Sequence, residues 1–184
     1  MLLPSGNNMA DSLARWAFGS PEKYTEYANM MLKKMGVKDT VVADASGFLP
    51  NTISTSSDLT TIGEKALQNP VLAQIVAQPS ATVPIAGEIK NVNWLLGEEG
   101  VVGIKTGSTD QAGGNFLFAA NRKILGEDIK VVGAILGAPN RNSAISDSKI
   151  LIKSTDSGFE KKTLLSSGQV VGTYKMPWGE TANA

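Results

Sequence analysis

The spacing of hydrophobic and polar positions changes character about halfway along the chain. In the first part, apolar residues such as Met9, Leu13 and Trp16 lie three or four positions apart, which is typical of an amphipathic helix. Ser20 is the expected N-cap of a second helix that begins with Pro21 in its first turn and ends at Gly36. The pattern predicts four helices, at 8–18, 21–36, about 57–68 and 70–77.

From residue 101 onward the apolar residues form short β-rich runs separated by turns that contain glycine. Runs at 101–106, 115–120 and 129–136 predict three neighbouring antiparallel strands, and 143–159 predicts a closing helix. Outside this cluster, the sequence predicts a strand at 81–85 that runs into a turn at Gly87. It also predicts a strand at 169–176 with no partner strand after it. Helices followed by strands and a last helix predict an α+β fold.

The composition fits one domain core, because 42% of the 184 residues are hydrophobic. We predict a domain over 1–160, followed by a linker and the start of a β segment over 161–184. The 17 basic and 17 acidic residues balance, and no dense Lys/Arg block occurs, so nucleic acid is not an expected partner. No apolar run is long enough to span a bilayer, and residues 1–4 are too short for the apolar part of a signal peptide.

The absence of histidine and cysteine narrows the chemistry further. It excludes a Ser-His-Asp triad, a thiol nucleophile and nearly every zinc site. Any general base must therefore be Lys, Asp, Glu or Tyr, and we expect neither a metal nor a cofactor.

Two short motifs carry candidate chemistry. Ser5-Gly6-Asn7 comes directly before a predicted helix, and Lys105-Thr106-Gly107 ends an apolar strand. An ammonium and a hydroxyl on an exposed strand edge can bind a carboxylate, and Gly107 would keep that edge open. The backbone N–H of Ser108 could point at a developing oxyanion. Taken alone, the first motif is equally typical of a helix N-cap, and the second of a strand that ends in a polar turn.

Taken together and in this order, the motifs resemble the S-x-N and K-T-G signatures of penicillin-binding proteins and class A β-lactamases. Further strings are similar to the serine D-alanyl-D-alanine carboxypeptidases of family S11, over residues 2–159. They are Asp44-Ala45-Ser46-Gly47-Phe48, Ser54-Thr55-Ser56-Ser57-Asp58-Leu59, Asn91-Val92-Asn93-Trp94-Leu95-Leu96 and Gly103-Ile104-Lys105-Thr106-Gly107. The first of these strings also predicts an ordered turn. Glu64-Lys65-Ala66-Leu67 is similar to part of a β-lactamase deacylating loop. It lacks the following Asn and lies in a predicted helix, which favours the carboxypeptidase.

The resemblance implies a partial transpeptidase-like domain of helices and an antiparallel sheet. It also implies an activity: release of the terminal D-alanine of a peptidoglycan pentapeptide through a serine ester, with β-lactams acylating the same serine. By resemblance, Ser5 relays a proton to the leaving group and Asn7 holds the substrate amide. Lys105, with Thr106, Gly107 and Ser108, completes the site. No cofactor is implied, and the family places the protein outside the cytoplasm, in the bacterial cell envelope.

Arg141 follows a Gly-Ala-Pro-Asn string and has two interpretations. It could be a second cation for the terminal carboxylate, or a basic residue near a helix start. Trp16, Trp94 and Trp178 are interpreted as packing residues. Asn91 and Asn93 could line the cleft or stabilise a turn.

In the resembling family the nucleophile is the serine of an S-x-x-K motif that precedes S-x-N by several dozen residues. Here no such string lies ahead of Ser5. Ser20-Pro21-Glu22-Lys23 is interpreted as an N-cap followed by a solvated face, and Ser146-Asp147-Ser148-Lys149 as the surface of the last helix, with Ile145, Ile150 and Ile152 packing.

We therefore expect the nucleophile, its base and one oxyanion donor to be absent from these residues, so that the chain alone is catalytically silent. An export signal would then lie upstream. Two alternatives stay open: a non-catalytic scaffold that binds peptidoglycan or β-lactams, and one half of a two-fragment enzyme. We also expect an exposed apolar face that leads to oligomerisation, strand exchange or a complementing chain.

Overall fold

The computed structural model describes residues 1–183 and has the expected α+β architecture. Its helices are α1 (Asn7–Phe18), α2 (Pro21–Lys34), α3 (Ser56–Leu67), α4 (Pro70–Val76) and α5 (Arg141–Ser154). Its strands are β1 (Ser80–Val83), β2 (Gly87–Lys90), β3 (Val101–Thr109), β4 (Gly113–Ile124), β5 (Glu127–Ala138), β6 (Thr173–Lys175) and β7 (Thr181–Asn183). Among residues 1–183, no helix is both long and apolar enough to cross a membrane.

The central sheet has the order β3-β4-β5 and is antiparallel throughout, which confirms the three predicted neighbouring strands. Leu125 and Gly126 join β4 to β5 as a two-residue hairpin with φ of 51° and 89°. This conformation at both positions is that of a type I′ turn, whose twist matches the strands. The sheet therefore extends further than the apolar runs alone indicate.

Helices cover both faces of this sheet. On one face, Phe116 and Phe118 of β4 form a buried cluster with Ile145 and Ile152 of α5. On the other, α3 packs closely at Gly63, where a Cβ would lie 3.0 Å from Ile104 and 3.2 to 3.3 Å from side chains of β4 and β5. A glycine at this position lets the helix approach the sheet.

Local signals at the helix ends explain why the helices were predictable. Ser20 accepts a hydrogen bond from the backbone N–H of Lys23 at 3.3 Å, with Pro21 at the first helical position, so the expected N-cap is confirmed. Helix α5 begins at Arg141, two residues earlier than predicted, because Asn140 caps it through the N–H of Ser143. It ends at Ser154, whereas the sequence predicted 159.

Two strand predictions need correction. Gly87 does not lie in a turn that ends a single strand; it begins β2, which pairs with β1. The last predicted strand is also shorter and does have a partner, since Thr173 of β6 pairs with Asn183 of β7. The Pro177-Trp178-Gly179 segment joins these two strands as a turn, in which the N–H of Gly179 donates to the carbonyl of Met176. The division into 1–160 and 161–184 stays a prediction.

The prediction that the three tryptophans are packing residues is wrong. The side chains of Trp16, Trp94 and Trp178 are 84%, 44% and 66% exposed. The interpretation of the last helix is also wrong in part, because Ile150 is 72% exposed while Ser148 is fully buried. Helical spacing gives the period of a pattern, but it does not decide which face meets a neighbour.

Candidate active site

The two motifs meet through a hydrogen bond between a lysine and a serine. The ammonium of Lys105 on β3 donates to the hydroxyl oxygen of Ser5 at 2.6 Å and to the carbonyl of Thr106 at 2.7 Å. Ser5 lies just before α1 with φ of 58°, a left-handed conformation that is uncommon outside glycine. The N-cap of α1 is Gly6, without a side-chain capping bond, so the plainer interpretation of this motif as a side-chain cap is wrong.

The loop that carries Ser5 is anchored on the far side of the motif. Leu3 is buried, and its carbonyl accepts a hydrogen bond from the N–H of Val92 at 3.0 Å. The side chain of Asn91 donates to the carbonyls of Val76 and Gln78, so it stabilises a turn.

Asn93 has a similar structural role. Its side-chain oxygen accepts from the N–H of Leu95 at 3.2 Å. Of the two interpretations offered for Asn91 and Asn93, the structure supports turn stabilisation, because neither residue lines the cleft described next.

A cleft of about 570 Å³ opens beside the Ser5–Lys105 pair. Ser5, Asn7 and Lys105 all line it, and so does the segment 106–108. Residues from the loop 46–54 and from the ends of β4 and β5 form the other walls. Lys105 is the only charged residue among those that line the cleft in the described chain. Residues that are about 100 positions apart thus share one cavity.

The ammonium of Lys105 is held in an unusual electrostatic environment. Burial, with a smaller contribution from the positive charge of Arg141, lowers the pKa of Lys105 to about 8. Near neutral pH the group is still mostly protonated and can bind an anion, but it can also exchange a proton at modest cost. Arg141 itself is the first residue of α5 and is not among the residues that line the cleft, so its role as a second carboxylate ligand stays a prediction.

The remaining K-T-G positions differ in what they offer. Thr106 lines the cleft but is only 5% exposed, and its hydroxyl is buried without a hydrogen-bond partner, so its role in binding a carboxylate stays a prediction. Thr106 of β3 pairs with Phe116 of β4, and Phe116 belongs to the core. Beside Gly107, by contrast, no protein atom lies within 4 Å of where a Cβ would be. The strand edge is therefore open at Gly107 and Ser108.

Sequence reasoning assigned no site role to the wall formed by residues 46–54. It predicted an ordered turn there, and the carboxylate of Asp44 organises it. One oxygen accepts from the N–H and hydroxyl of Ser46 and from the N–H of Phe48, and the other accepts from the hydroxyl of Thr52 and the N–H of Leu49. Burial alone would raise the pKa of Asp44, but these hydrogen bonds outweigh it and hold the pKa below its usual range. The signal in the sequence was an Asp followed by Ser and Gly, which is a turn signal only.

The internal S-x-x-K strings are not part of the cleft. Ser20 is the N-cap of α2 and Lys23 is exposed. Ser146 is exposed on α5, and Ser148 donates its hydroxyl to the carbonyl of Ile145 within the helix. The hydrogen bonds of the Lys105 ammonium go to Ser5 and Thr106 and not to these serines, and none of these residues lines the cleft.

The fold and cleft define a protein of the penicillin-binding type. The structure superposes with a TM-score of 0.76 on penicillin-binding protein D2 of Listeria monocytogenes in its ampicillin-bound form, at 28% identity over 84% of this chain and 64% of that one. It superposes with a TM-score of 0.81 on penicillin binding protein 5 of Haemophilus influenzae over 99% of this chain and 54% of that one, where 24% identity supports the fold alone.

Within that class, residues 1–140 match the peptidase S11 family, described as D-alanyl-D-alanine carboxypeptidase, and the chain belongs to this family. It is 26% identical over 186 residues to the carboxypeptidase DacA of Haemophilus influenzae, covering 98% of this chain and 46% of the relative. It is 37% identical over 129 residues to DacB2 of Mycobacterium tuberculosis, covering 66% and 44%. The chain thus spans about half the length of the curated relatives that it matches.

Proposed function

We propose that this chain carries the substrate-binding part of a serine D-alanyl-D-alanine carboxypeptidase that acts on peptidoglycan peptides. Family membership supports the reaction class. The observation that carries the proposal is the bond between Lys105 and Ser5 at the wall of a cleft that Asn7 also lines. An ammonium paired with a hydroxyl beside an open strand edge can bind a carboxylate and transfer a proton at one place.

In the proposed reaction, a serine hydroxyl attacks the carbonyl carbon of the penultimate D-alanine. The new C–O bond forms, the C–N bond to the terminal D-alanine breaks, and the leaving nitrogen takes a proton. Ser5 supplies that proton from its hydroxyl, and the ammonium of Lys105 replaces it. The attacking serine gives its own proton to the neutral lysine amine of its S-x-x-K motif, and this proton restores the charge of Lys105. Water then hydrolyses the ester. Asn7 holds the substrate amide, while Ser108 supplies a backbone N–H to the oxyanion and Thr106 and Gly107 form the carboxylate-binding strand edge.

The attacking serine of this scheme belongs to an S-x-x-K motif, and no such string lies ahead of Ser5 in the 184 residues. We propose that the 184-residue polypeptide binds substrate without turning it over. β-Lactams are proposed to occupy the same cleft, which is consistent with the bound ampicillin in the Listeria relative. An extracytoplasmic location, in the cell envelope, follows from the proposed substrate.

The test is a binding assay on the purified 184-residue polypeptide with a peptide that ends in D-Ala-D-Ala, and with the same peptide as its C-terminal amide. We expect the free acid to bind more tightly, because only it offers a carboxylate to Lys105, and we expect no release of D-alanine. Equal binding of acid and amide would contradict the proposed carboxylate site. Release of D-alanine by the polypeptide alone would contradict the proposal that it is silent.

A second candidate is a two-chain arrangement, and the outer edge of β5 favours it. In the described chain, β5 is hydrogen-bonded only to β4. Its apolar side chains nevertheless pack on both faces of the sheet, Val131 and Ile135 against the α5 side and Val132 against the α3 side. Strands covered on both faces are usually interior strands, and an open edge of this kind pairs readily.

We propose that this edge accepts a strand from a complementing chain or from a second copy. Light scattering across a range of protein concentrations tests pairing with a second copy of this chain. Pairing with a complementing chain is tested by mixing with a fragment that carries S-x-x-K, after which alone labelled penicillin should be retained. A monodisperse monomer that melts cooperatively at low concentration would count against pairing. A non-catalytic scaffold would bind the peptide but stay silent in every mixture.

A further inference from the structure

The end of the central sheet that borders the cleft is rich in glycine. β3 has Gly107 there, and β4 begins with Gly113 and Gly114. Glycine weakens a strand, because it has no side chain to pack and more conformational freedom to lose. Within the described sheet, β3 is an outer strand, so at Gly107 and Ser108 it pairs with β4 alone. The strand edge proposed to bind the peptide therefore needs another source of order.

The side-chain amide of Asn115 supplies order at this place. Asn115 pairs with Gly107 of β3 and lines the cleft. Its NH₂ group donates to the carbonyl of Gly113 at 3.1 Å and to that of Ala112 at 3.4 Å, where the chain turns from β3 into β4. In the same turn, the N–H of Ala112 donates to the hydroxyl oxygen of Thr109 at 3.0 Å. Two side chains thus hold the turn that continues the strand edge.

The oxygen of the same amide binds β5, at a bulge in that strand. Two residues of β5, Leu136 and Gly137, lie opposite Asn115 alone, and both line the cleft. Gly137 has a φ of 70°, the left-handed conformation that glycine adopts in one common type of bulge. A bulge disrupts the ladder, and here the N–H of Gly137 donates to the side-chain oxygen of Asn115 at 3.1 Å. One side chain therefore joins the turn after β3 to the bulge on β5.

This arrangement requires an amide at position 115. Two carbonyl groups face the NH₂ group of Asn115 and one N–H faces its oxygen, so the partners fix the orientation of the amide. Alanine would leave all of these backbone groups without the partner they have now. Serine is too short to reach both strands.

We propose that Asn115 is a positioning residue for peptide binding. It acts through the backbone: by joining the turn after β3 to the bulge on β5, it holds Gly107 and Ser108 in a fixed position relative to the ammonium of Lys105. An edge that is ordered before the peptide arrives loses less of the binding free energy to ordering. The inference rests on the proposed function, because Asn115 has this role only if a peptide binds along that edge.

The test measures peptide binding and stability together in two alanine variants of the 184-residue polypeptide. For Asn115→Ala, we expect the dissociation constant of a D-Ala-D-Ala peptide, measured by NMR titration, to rise about five- to tenfold, the scale of one hydrogen bond lost through misalignment. Asn69→Ala is the matched control. Asn69 caps α4 by accepting from the N–H groups of Val71 and Leu72, and it does not line the cleft. Both variants should lose stability in urea unfolding, but Asn69→Ala should bind the peptide as the wild type does.

A double variant separates positioning of the edge from a general loss of stability. Gly107→Ala obstructs the same edge, so in combination with Asn115→Ala it should raise the dissociation constant by less than the product of the two single effects. A rise equal to that product is the result for a residue that acts elsewhere, and it would overturn the inference.

Asn115→Ser provides a second reading, should Asn115→Ala fold poorly, and it should also weaken binding. Wild-type affinity in a folded Asn115 variant, or an equal loss of affinity in Asn69→Ala, overturns this inference and leaves the proposed function standing. If the wild-type polypeptide does not bind the peptide, the proposed function fails and this inference fails with it.

Discussion

The ammonium of Lys105 lies 2.6 Å from the hydroxyl oxygen of Ser5, although the two residues are 100 positions apart in the chain. Lys105 is on the first strand of the central sheet, and Ser5 precedes the first helix in a left-handed conformation. This contact brings together the S-x-N and K-T-G motifs, which in the sequence are related only by their order along the chain. It also places Lys105, the one charged residue that lines the cleft among residues 1–183, next to a hydroxyl that can relay a proton.

Lys105→Met should remove carboxylate recognition. We expect binding of a D-Ala-D-Ala peptide to weaken by about 10- to 100-fold, because a hydrogen bond to a charged group is typically worth about 1.5 to 3 kcal/mol. The dissociation constant is measured by titration calorimetry or NMR. Lys33→Met is the control, since Lys33 is exposed on α2 and does not line the cleft. Unchanged binding by Lys105→Met would contradict the proposed site.

The lowered pKa of Lys105 predicts how stability depends on pH. The pKa falls from 10.5 to about 8 in the fold, mainly through burial and secondarily through Arg141, so between these values the unfolded chain binds more protons. The free energy of unfolding should therefore rise with pH across that window, by up to about 3 kcal/mol from this group. Because tyrosines and other lysines also titrate there, the measurement is the difference between wild type and Lys105→Met in urea unfolding at pH 7 and pH 10. A difference that does not change with pH contradicts the assignment.

Peptide binding should also depend on the protonation of Lys105, but in the opposite direction to stability. Loss of the Lys105 charge removes the partner of the carboxylate, so affinity for the peptide should fall as pH rises through about 8. Titrations at a series of pH values measure the midpoint. The C-terminal amide of the peptide is the control, and its affinity should vary much less. A midpoint near 10.5 would mean that burial does not affect the group as described.

Asp44→Asn should destabilise the loop 46–54 that forms one wall of the cleft. The substitution replaces one acceptor oxygen with an NH₂ group that faces backbone and hydroxyl donors, at a cost of about 1 to 3 kcal/mol. Because the pKa of Asp44 is held below its usual range, the stabilisation should be present above that range and lost as pH falls through the lowered value. Urea unfolding at pH 7 and pH 3 measures both effects. Asp11→Asn, at an exposed position on α1, should leave the free energy of unfolding at pH 7 unchanged.

Gly107→Ala should separate stability from binding. No protein atom lies within 4 Å of the position that the new Cβ would occupy, and the backbone is not left-handed there, so the free energy of unfolding should change by less than about 0.5 kcal/mol. The methyl group would, however, project from the strand edge that borders the cleft, and peptide binding should weaken several-fold. Gly172→Ala, also without neighbours within 4 Å, should change neither quantity. Full binding by Gly107→Ala would place the ligand away from β3.

The helices and the central strands could be predicted because their signals are local. Ser20 with Pro21 marks one helix start, and the hairpin at Leu125-Gly126 joins two apolar, β-rich runs. The hairpin β6–β7 was missed because its turn, built on Pro177-Trp178-Gly179, resembles a chain stop. Short strands of three residues carry too little pattern to be recognised.

Family membership and the order of the motifs were accessible from the sequence alone, because S-x-N, K-T-G and the strings between them are contiguous residues. The sequence also determined the absence of histidine and cysteine chemistry. Tertiary structure decided that Ser5, Asn7 and Lys105 share one cleft, that burial lowers the pKa of Lys105, and that the hydroxyl of Thr106 is buried without a partner. These properties depend on distances between residues far apart in the chain and on exclusion of water, and neither is encoded in the local spacing of residues.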